Sequence, residues 1–414
     1  MEVTITPSAL GGSVRAINSK SHAHRLLICG ALSQSPSFVA CENTSEDIEV
    51  TARCLCALGA SIDYADGGFK ISPVKEIPEN PFLDCGESGS TLRFLIPAAL
   101  LVQGGAAFTG RGRLMERPLA PYETLFREKG IGWGLENGVL TLDSGRGYDR
   151  LALDPGEYRL PGNVSSQFIT GLLFVLPLLE GDSDLVLTSP LESRGYVDLT
   201  LDVLNKFGVT VDPRENGFHV PGGQKYRAGD LAIEADWSQA AFWYAANHLG
   251  GQVDIRGLDQ SSRQGDREVA AYCRKLARPG EVELDVSQCP DLVPPLAAMA
   301  ALRAGETTAI VNAARLRIKE SDRLASVTQV LNALGADVEE HADHLVLRGR
   351  ERLAGGVTVS GHNDHRIAMM AAIAATRCQG PVTITGAECV NKSYPGFWED
   401  YRQLGGDLDV LISG

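Results

Sequence analysis

The sequence has 414 residues, 44% of them hydrophobic and 22% charged, which is ordinary for a globular protein and excludes a disordered or fibrous chain. At about 150 residues per domain, this length predicts two or three domains. Lys and Arg number 38 and Asp and Glu number 52, so the net charge is −14, which argues against a general binder of nucleic acid or anionic membranes. An anionic partner must therefore be bound by a local basic site.

The first residues and the cysteines indicate the compartment. Met1 to Thr6 alternates like a strand and lacks the basic and apolar regions of a secretory signal. The longest apolar stretch, Phe168 to Leu179, is shorter than the roughly 18 residues of a membrane span. The nine cysteines are odd in number and scattered, which predicts buried free thiols rather than a disulfide framework. We expect a cytoplasmic protein.

The chain contains an internal repeat of six units. One half of each unit is a helical run ending in Leu-Gly or a close variant, followed by a strand, a polar turn and a second strand. It occurs clearly at residues 51–72, 121–142, 200–220 and 326–347, and in weaker or truncated form at residues 269–286 and 401–412. The other half is a polar entry, an apolar helix, a glycine turn and a β-branched strand, and it begins near residues 19, 86, 163, 236, 289 and 363.

These repeats predict the fold class. Ser, Asp or Asn stands near the start of every apolar helix, as N-caps require, and helices that are apolar on all sides should be buried. Six such units predict an α/β protein of βαβαββ-type modules, with three modules in each of two similar lobes.

Polar and basic residues are concentrated at the N-termini of the apolar helices, where a pure core helix would not need them. A helix start presents unsatisfied N–H groups and a partial positive charge, so it attracts anions. If the six helix starts face a cleft between the lobes, they form an anion-binding site in an otherwise acidic protein.

Four segments are unusually rich in functional groups, and Lys392 lies in a fifth, CVNKSYPGF. They are Lys20 to Arg25, Arg113 to Pro118, Arg315 to Arg323 and Asn363 to Arg366. The second follows a glycine-rich corner and could close on a phosphate or carboxylate. Each segment taken alone is also compatible with a solvated helix start or an exposed, salt-bridged loop.

Other kinds of site have weaker support. The pairs His22/His24 and His362/His365 have no third metal ligand at a matching spacing, so we expect no metal. The glycines form neither a Walker pattern nor a dinucleotide fingerprint, and therefore ATP and NAD are not implied. No GxSxG is present, and no cysteine lies among convergent basic residues.

Taken in order, the motifs of this chain resemble the 3-phosphoshikimate 1-carboxyvinyltransferase (EPSP synthase) family. They are SKSHAHR, CGESGSTLRF, RGRLMERP, NVSSQF, ESRGYVD, CPD, RIKESDRL, NDHR and NKSYPGF, and they run from about Lys20 to Trp398. The resemblance implies transfer of the enolpyruvyl group of phosphoenolpyruvate to shikimate 3-phosphate, with release of phosphate. It also implies two lobes, formed by residues 16–232 and by residues 1–15 with 233–414.

The resemblance assigns residues to the two anionic substrates and implies no cofactor. The shikimate 3-phosphate contacts fall on Lys20, Ser21, Arg25, Ser165, Ser166, Gln167, Ser193, Asp291 and Lys319. The phosphoenolpyruvate contacts fall on Lys20, Gly89, Arg113, Gln167, Arg323, Arg366 and Lys392. The chain departs from many members of the family at Glu87 to Ser90, where they have Asn-Ala-Gly-Thr, and at Arg315, where they have Asn.

The addition and elimination steps need a base for the 5-hydroxyl and an acid for the methylene carbon. We assign Asp291 as the base, Glu320 as the proton donor and later acceptor, and Lys20 as an electrostatic and proton-transfer partner. We expect a monomer that binds neither nucleic acid nor membranes.

Two alternatives stay open. A UDP-N-acetylglucosamine 1-carboxyvinyltransferase would share the fold and the phosphoenolpyruvate chemistry, but that family typically has a cysteine in the mobile loop, and residues 110–118 contain none. A non-catalytic two-lobed anion-binding protein would not need Asp291 and Glu320 among cationic groups.

Overall fold

The computed structural model describes residues 1–75, 78–102, 104–145 and 152–412. The chain divides into two compact units. We call Met1–Ile17 with Ala235–Gly414 the terminal unit, and Asn18–Glu234 the central unit.

Twelve α-helices and 22 strands lie in the described residues. The helices are α1 Lys20–Ala31, α2 Glu46–Ala57, α3 Gly89–Val102, α4 Ala120–Glu128, α5 Ser166–Val175, α6 Arg194–Lys206, α7 Trp237–His248, α8 Val269–Leu276, α9 Val293–Ala300, α10 Arg323–Ala333, α11 His365–Ala375 and α12 Phe397–Gln403. The strands are β1 Glu2–Thr6, β2 Gly11–Arg15, β3 Ser37–Ala40, β4 Ser61–Ala65, β5 Gly68–Ser72, β6 Phe82–Asp84, β7 Gly105–Thr109, β8 Gly132–Glu136, β9 Val139–Asp143, β10 Gly156–Leu160, β11 Ser183–Leu187, β12 Asp212–Arg214, β13 Gly217–Val220, β14 Asp230–Ala232, β15 Gln252–Arg256, β16 Val282–Asp285, β17 Thr307–Val311, β18 Val338–Glu340, β19 Leu345–Arg348, β20 Val357–Ser360, β21 Val382–Thr385 and β22 Asp407–Leu411.

Side-chain caps fix where several helices begin. Ser19, Ser165, Asp236, Asp322 and Asp364 each accept a hydrogen bond from a backbone N–H in the first turn of α1, α5, α7, α10 and α11. Such a cap satisfies a donor that the helix itself leaves unpaired, and it stabilises the helix by about 1 kcal/mol. Three of these five caps are aspartates, whose charge also suits the positive end of the helix dipole.

Five small sheets share one strand pattern. Each has four strands in which one edge pair is parallel and the other two pairs are antiparallel. Their orders are β14-β3-β5-β4, β6-β7-β9-β8 and β10-β11-β13-β12 in the central unit, and β16-β17-β19-β18 and β20-β21-β1-β22 in the terminal unit. The sixth sheet in the described residues has only two strands, β15 and β2, which are parallel.

The observed elements confirm the α/β class and the repeated sheet-and-helix units. The prediction of a hairpin in the weak copy at residues 269–286 is wrong, because that segment forms α8 and one strand, β16. No second strand follows β16 to form a hairpin with it; instead the chain turns into a short 3-10 helix at Pro290, and the next strand, β17, comes after α9. The truncated copy at residues 401–412 likewise supplies one strand, β22, which pairs with β1.

Each unit has its own hydrophobic core, built on three apolar helices. In the central unit these are α1, α3 and α5, and in the terminal unit they are α7, α9 and α11. Every residue of α9 and α11 is buried, as expected for helices that are apolar on all sides. No helix in the described part of the chain is long and apolar enough to cross a membrane.

We expect Gly217→Ala to destabilise the central unit strongly. Gly217 has a φ of 142°, and a Cβ there would lie 1.9 Å from the carbonyl oxygen of Leu185 on the paired strand. Backbone strain and this clash should together lower the free energy of unfolding by about 3 kcal/mol or more, measured by urea denaturation. Gly223→Ala is the matched control, because Gly223 also has a positive φ but open space around it. Equal effects of the two substitutions would contradict the steric explanation.

Candidate functional site

The terminal unit contains a buried guanidinium surrounded by three carboxylates. Arg323, the first residue of α10, is 1% exposed. Its Nε donates to Asp364 Oδ2 at 2.8 Å, its Nη1 donates to Asp291 Oδ1 at 2.9 Å, and its Nη2 donates to Glu320 Oε2 at 2.6 Å. The guanidinium therefore fixes the positions of three acidic side chains from different elements.

The three carboxylates differ in exposure. Asp364 is fully buried, and it also accepts from Ser321 Oγ at 3.0 Å and from the Arg366 backbone N–H at 3.0 Å. The side chains of Asp291 and Glu320 are 19% and 17% exposed. Asp364 is therefore a structural partner of Arg323, whereas the side chains of Asp291 and Glu320 are partly accessible to solvent.

The charges around Arg323 keep it protonated. Burial by itself lowers the pKa of Arg323, but the charges of Asp364, Glu320 and Asp291 outweigh it and raise the pKa above its usual value. A buried charge is tolerated only when it is paired and hydrogen-bonded, and here each side of the guanidinium has a carboxylate partner.

Further cations lie around Asp291. Lys319 Nζ is 3.3 Å from Asp291 Oδ1. Arg366 Nη2 is 3.5 Å from Asp291 Oδ2, and Arg366 Nη1 donates to the Asp291 carbonyl at 3.1 Å. The structure therefore brings Asp291, Lys319, Glu320, Arg323 and Arg366 into one connected cluster.

Lys392 and Arg315 are held by backbone carbonyls. Lys392 is buried and donates from Nζ to the carbonyl of Asn363, directly before the N-terminus of α11, at 2.6 Å. Arg315 donates from Nη2 to the carbonyl of Ser287. Both are bound to loops that adjoin the helix starts of this unit.

In the central unit, the start of α1 carries the first cluster of predicted ligands. Lys20 Nζ donates to Asp47 Oδ2 at 2.9 Å. Arg25 is buried and donates to the carbonyls of Ser21 and Tyr196 at 2.6 and 2.8 Å, and from Nε to Thr200 Oγ1 at 2.9 Å. Burial lowers the pKa of Arg25 to about 10, so it remains cationic at neutral pH.

The starts of α5 and α3 are joined by hydrogen bonds of Gln167. Its Oε1 accepts from Arg93 Nη1 at 2.7 Å, and its Nε2 donates to Ser90 Oγ at 2.9 Å. Ser165 caps α5, and Ser166 follows it as the first helical residue. The amide of Gln167 is therefore oriented by both helices.

The other predicted residues of this unit are Ser193, Gly89 and Arg113. Ser193 has a φ of 55° at the N-cap of α6. Gly89 is the first residue of α3 and packs closely against the Arg117 guanidinium. A Cβ on Gly89 would lie within 2.9 Å of three guanidinium atoms. Arg113 is exposed and lies 3.9 Å from Glu116. Glu87, at the departure from the family motif, packs against the backbone that precedes Arg113.

The two histidines of α1, His22 and His24, are buried. Burial lowers the pKa of His22 to about 3, with further contributions from Lys206 and Arg25, and burial also lowers the pKa of His24. His22 Nδ1 accepts from the Glu234 backbone N–H at 3.0 Å. Across the described ranges, no three His, Cys, Asp or Glu side chains are grouped so as to hold a metal ion.

The sequence did not show which polar residues pair with Lys20 and Gln167. Asp47, which binds Lys20, is one of three acidic residues at the start of α2, and nothing in that run distinguishes it. Arg93 was visible as a charge in an apolar helix, but its partner Gln167 is 74 residues away. Long-range pairs of this kind become evident only in the folded chain.

Comparison with known proteins identifies the family. The family model described as EPSP synthase (3-phosphoshikimate 1-carboxyvinyltransferase) matches residues 5–401. The chain belongs to the EPSP synthase family. A 3-phosphoshikimate 1-carboxyvinyltransferase of Clostridium kluyveri is 46% identical over 430 residues, covering 100% of this chain and 99% of the relative. One of Clostridium acetobutylicum is also 46% identical, with 98% of each chain covered.

Solved structures of EPSP synthases and a related enzyme share the fold. An EPSP synthase of Acinetobacter baumannii has a TM-score of 0.80 at 24% identity, covering 99% of this chain and 100% of that one. The enolpyruvyl transferase NikO of Streptomyces tendae has a TM-score of 0.76 at 18% identity, covering 100% and 99%. The family resemblance drawn from the motifs is confirmed, and neither the sugar-nucleotide transferase nor the non-catalytic binding protein is favoured.

We expect Asp364→Asn to destabilise the terminal unit. The amide can still cap α11 but removes the negative charge that is bonded to the buried Arg323 guanidinium. Breaking a buried ion pair on one side costs about 3 kcal/mol of unfolding free energy, which urea denaturation would measure. Asp337→Asn, which removes a surface partner of Arg348, should cost less than about 1 kcal/mol. A loss at Asp364 no larger than that at Asp337 would contradict the structural role.

We also expect His22 to make the folded state sensitive to acid. The unfolded imidazole titrates near pH 6.5, whereas the buried one titrates near 3, so below pH 6.5 the unfolded state binds a proton that the folded state does not. Stability should therefore be lost as pH falls, by up to about 1.4 kcal/mol per pH unit for this group. His22→Asn, which preserves an acceptor for Glu234, should flatten the decline between pH 6 and 5 in denaturation curves. A wild-type slope in His22→Asn would contradict the assignment.

Proposed function

We propose that the protein transfers the enolpyruvyl group of phosphoenolpyruvate to the 5-hydroxyl of shikimate 3-phosphate and releases inorganic phosphate. The reaction is an addition followed by an elimination through a tetrahedral intermediate, and it belongs to the shikimate pathway to chorismate and the aromatic amino acids. The observation that carries the proposal is the pair of partly exposed carboxylates, Asp291 and Glu320, bonded to one buried guanidinium. Family membership supports the same reaction.

The charge of the substrates explains why so many cations are needed. Both substrates are polyanions, and bringing them together costs electrostatic repulsion that Lys and Arg side chains offset. A correctly oriented pair of reactants then gains a high effective concentration. The chain has a net charge of −14, so these cations act locally and not through the overall field.

The proposed ligands are those that the family motifs assign to each substrate. Shikimate 3-phosphate is bound by Lys20, Ser21, Arg25, Ser165, Ser166, Gln167, Ser193, Asp291 and Lys319. Phosphoenolpyruvate is bound by Lys20, Gly89, Arg113, Gln167, Arg323, Arg366 and Lys392. The contacts that orient Arg25, Gln167, Arg366 and Lys392 support this assignment, because each of these side chains is fixed by hydrogen bonds to protein atoms.

Asp291 and Glu320 divide the proton transfers. Asp291 takes the proton of the 5-hydroxyl as that oxygen bonds to C2 of phosphoenolpyruvate. Glu320 enters the reaction as the carboxylic acid and donates its proton to C3, and the resulting carboxylate takes a proton from the methyl group when phosphate leaves and the C2–C3 double bond forms again. Lys20 stabilises the charge that develops on the substrates. The support is that Arg323 holds both carboxylates while leaving part of each accessible.

We propose that the enzyme acts as a cytoplasmic monomer without a metal or organic cofactor. All nine cysteines are free and seven of them are buried, which suits a reducing compartment. Light scattering after size-exclusion chromatography would measure the oligomeric state.

The test is release of phosphate from phosphoenolpyruvate by the purified protein. We expect release with shikimate 3-phosphate as acceptor and none with UDP-N-acetylglucosamine. Asp291→Asn and Glu320→Gln should each lower kcat by about 100-fold or more, because general acid–base groups contribute about that much.

Two matched substitutions serve as controls. Asp285→Asn and Glu339→Gln change carboxylates on the two edge strands of one sheet, β16 and β18, where neither forms an ion pair with Arg323, and they should retain activity within about twofold. Release only with the sugar nucleotide would assign the protein to a different acceptor, and release with neither would overturn the proposed reaction. Full activity of both site variants would overturn the proton-transfer roles.

A further inference from the structure

Lys319 and Glu320 lie on a short connection between two helical segments. A 3-10 helix, Ala314–Ile318, precedes them, and α10 follows at Arg323. Glu320 is held by the guanidinium of Arg323, and Lys319 approaches Asp291. Their placement therefore depends on what fixes the two ends of this connection.

Arg317 joins the two ends. Its Nη1 donates to Asp322 Oδ2 at 2.9 Å, so the ion pair closes a loop of six residues with Lys319 and Glu320 at its centre. Asp322 is itself fixed, because its other carboxylate oxygen accepts from the Ala325 N–H as the N-cap of α10. The ion pair thus ties the start of the connection to the start of a helix.

The same guanidinium is anchored to the β18–β19 hairpin. Nη1 also donates to Glu340 Oε1 at 2.8 Å, Nε donates to the Ala342 carbonyl at 2.9 Å, and Nη2 donates to the His341 carbonyl at 2.6 Å. The Ala313 N–H donates to the Asp343 carbonyl at 2.8 Å, which attaches the hairpin to the 3-10 helix as well.

The fork geometry of arginine is needed for this arrangement. Five N–H donors in one plane can reach two carboxylates and two carbonyls at once, whereas the three donors of a lysine radiate from a single atom. The hydrogen bond that Arg317 donates to the Glu340 carboxylate raises the pKa of Arg317, so its charge is permanent.

We propose that Arg317 is a positioning residue for the reaction: it clasps the connection 317–322 against the β18–β19 hairpin and thereby holds Lys319 and Glu320 in their reactive positions. This inference rests on the proposed function, which places both residues in the chemistry. Arg317 bonds to neither Asp291 nor Arg323 and acts only through Asp322 and the hairpin.

The positioning role of Arg317 predicts unequal effects on the KM values of the two substrates. In Arg317→Gln, we expect kcat to fall about tenfold, since small misplacements of catalytic groups are costly. The KM for shikimate 3-phosphate should rise about threefold or more, because Lys319 lies inside the loop. The KM for phosphoenolpyruvate should change less than about twofold, since Arg323, Arg366 and Lys392 have separate anchors.

Three further variants distinguish positioning from general stability. Arg348→Gln is the matched control, because the side-chain hydrogen bonds of Arg348 in the described structure go to Asp337 and Glu339 and not to residues 313–323; its kinetics should match the wild type. Arg317→Lys should recover part of the lost kcat. Asp322→Asn combined with Arg317→Gln should cost little more than Arg317→Gln alone, because both break one interaction.

Two results would overturn the proposed positioning role of Arg317, which we call the clasp. One is an Arg317→Gln enzyme with wild-type kcat and KM values. The other is a loss of activity that follows a lowered melting temperature, affects both KM values equally and is matched by Arg348→Gln. The wild type assayed beside these variants separates the two hypotheses: an inactive wild type overturns the proposed reaction and the clasp with it, whereas an active wild type beside an unimpaired Arg317→Gln overturns the clasp alone.

Discussion

The buried guanidinium of Arg323 is the interaction on which the terminal unit's site depends. A charge that is 1% exposed is stable only with close partners, and Asp291, Glu320 and Asp364 supply them from three separate elements. The ion pairs that make the buried charge tolerable therefore also fix the two carboxylates that we propose as proton-transfer groups. Because Asp364 is fully buried while the other two are partly exposed, one carboxylate secures the guanidinium and two remain available to substrate.

The central unit stabilises its buried cation in a different way, with neutral hydrogen-bond acceptors. In the described structure, the buried guanidinium of Arg25 donates its hydrogen bonds to two backbone carbonyls and to the Thr200 hydroxyl, and not to a carboxylate. Lys20, by contrast, is paired with Asp47. Neutral acceptors orient a cation without forming an ion pair with it, and this arrangement supports the role we propose for Arg25 in binding a polyanionic substrate. The two units thus combine charge-paired and carbonyl-held cations.

Support for the reactive groups extends well beyond their own elements. The β18–β19 hairpin contributes no proposed ligand, yet its carbonyls and Glu340 hold Arg317, which is paired with the N-cap of α10. Asp322 therefore serves a helix end and the clasp with its two carboxylate oxygens. The Arg317 guanidinium therefore connects the N-cap of α10 with the β18–β19 hairpin, and the segment that carries Lys319 and Glu320 lies between its anchors.

The sequence by itself determined the α/β class, the six units, the apolar helices and the family, because periodicity, N-caps and contiguous motifs are local features. It also singled out Asp291, Glu320 and Arg323 through their motifs. Only the tertiary structure decided that one guanidinium joins these residues to Asp364, that Asp47 pairs with Lys20, and that residues 269–286 supply a single strand. Those outcomes depend on contacts between residues distant in the chain, and hydrogen-bond partners of that kind leave no mark on local sequence.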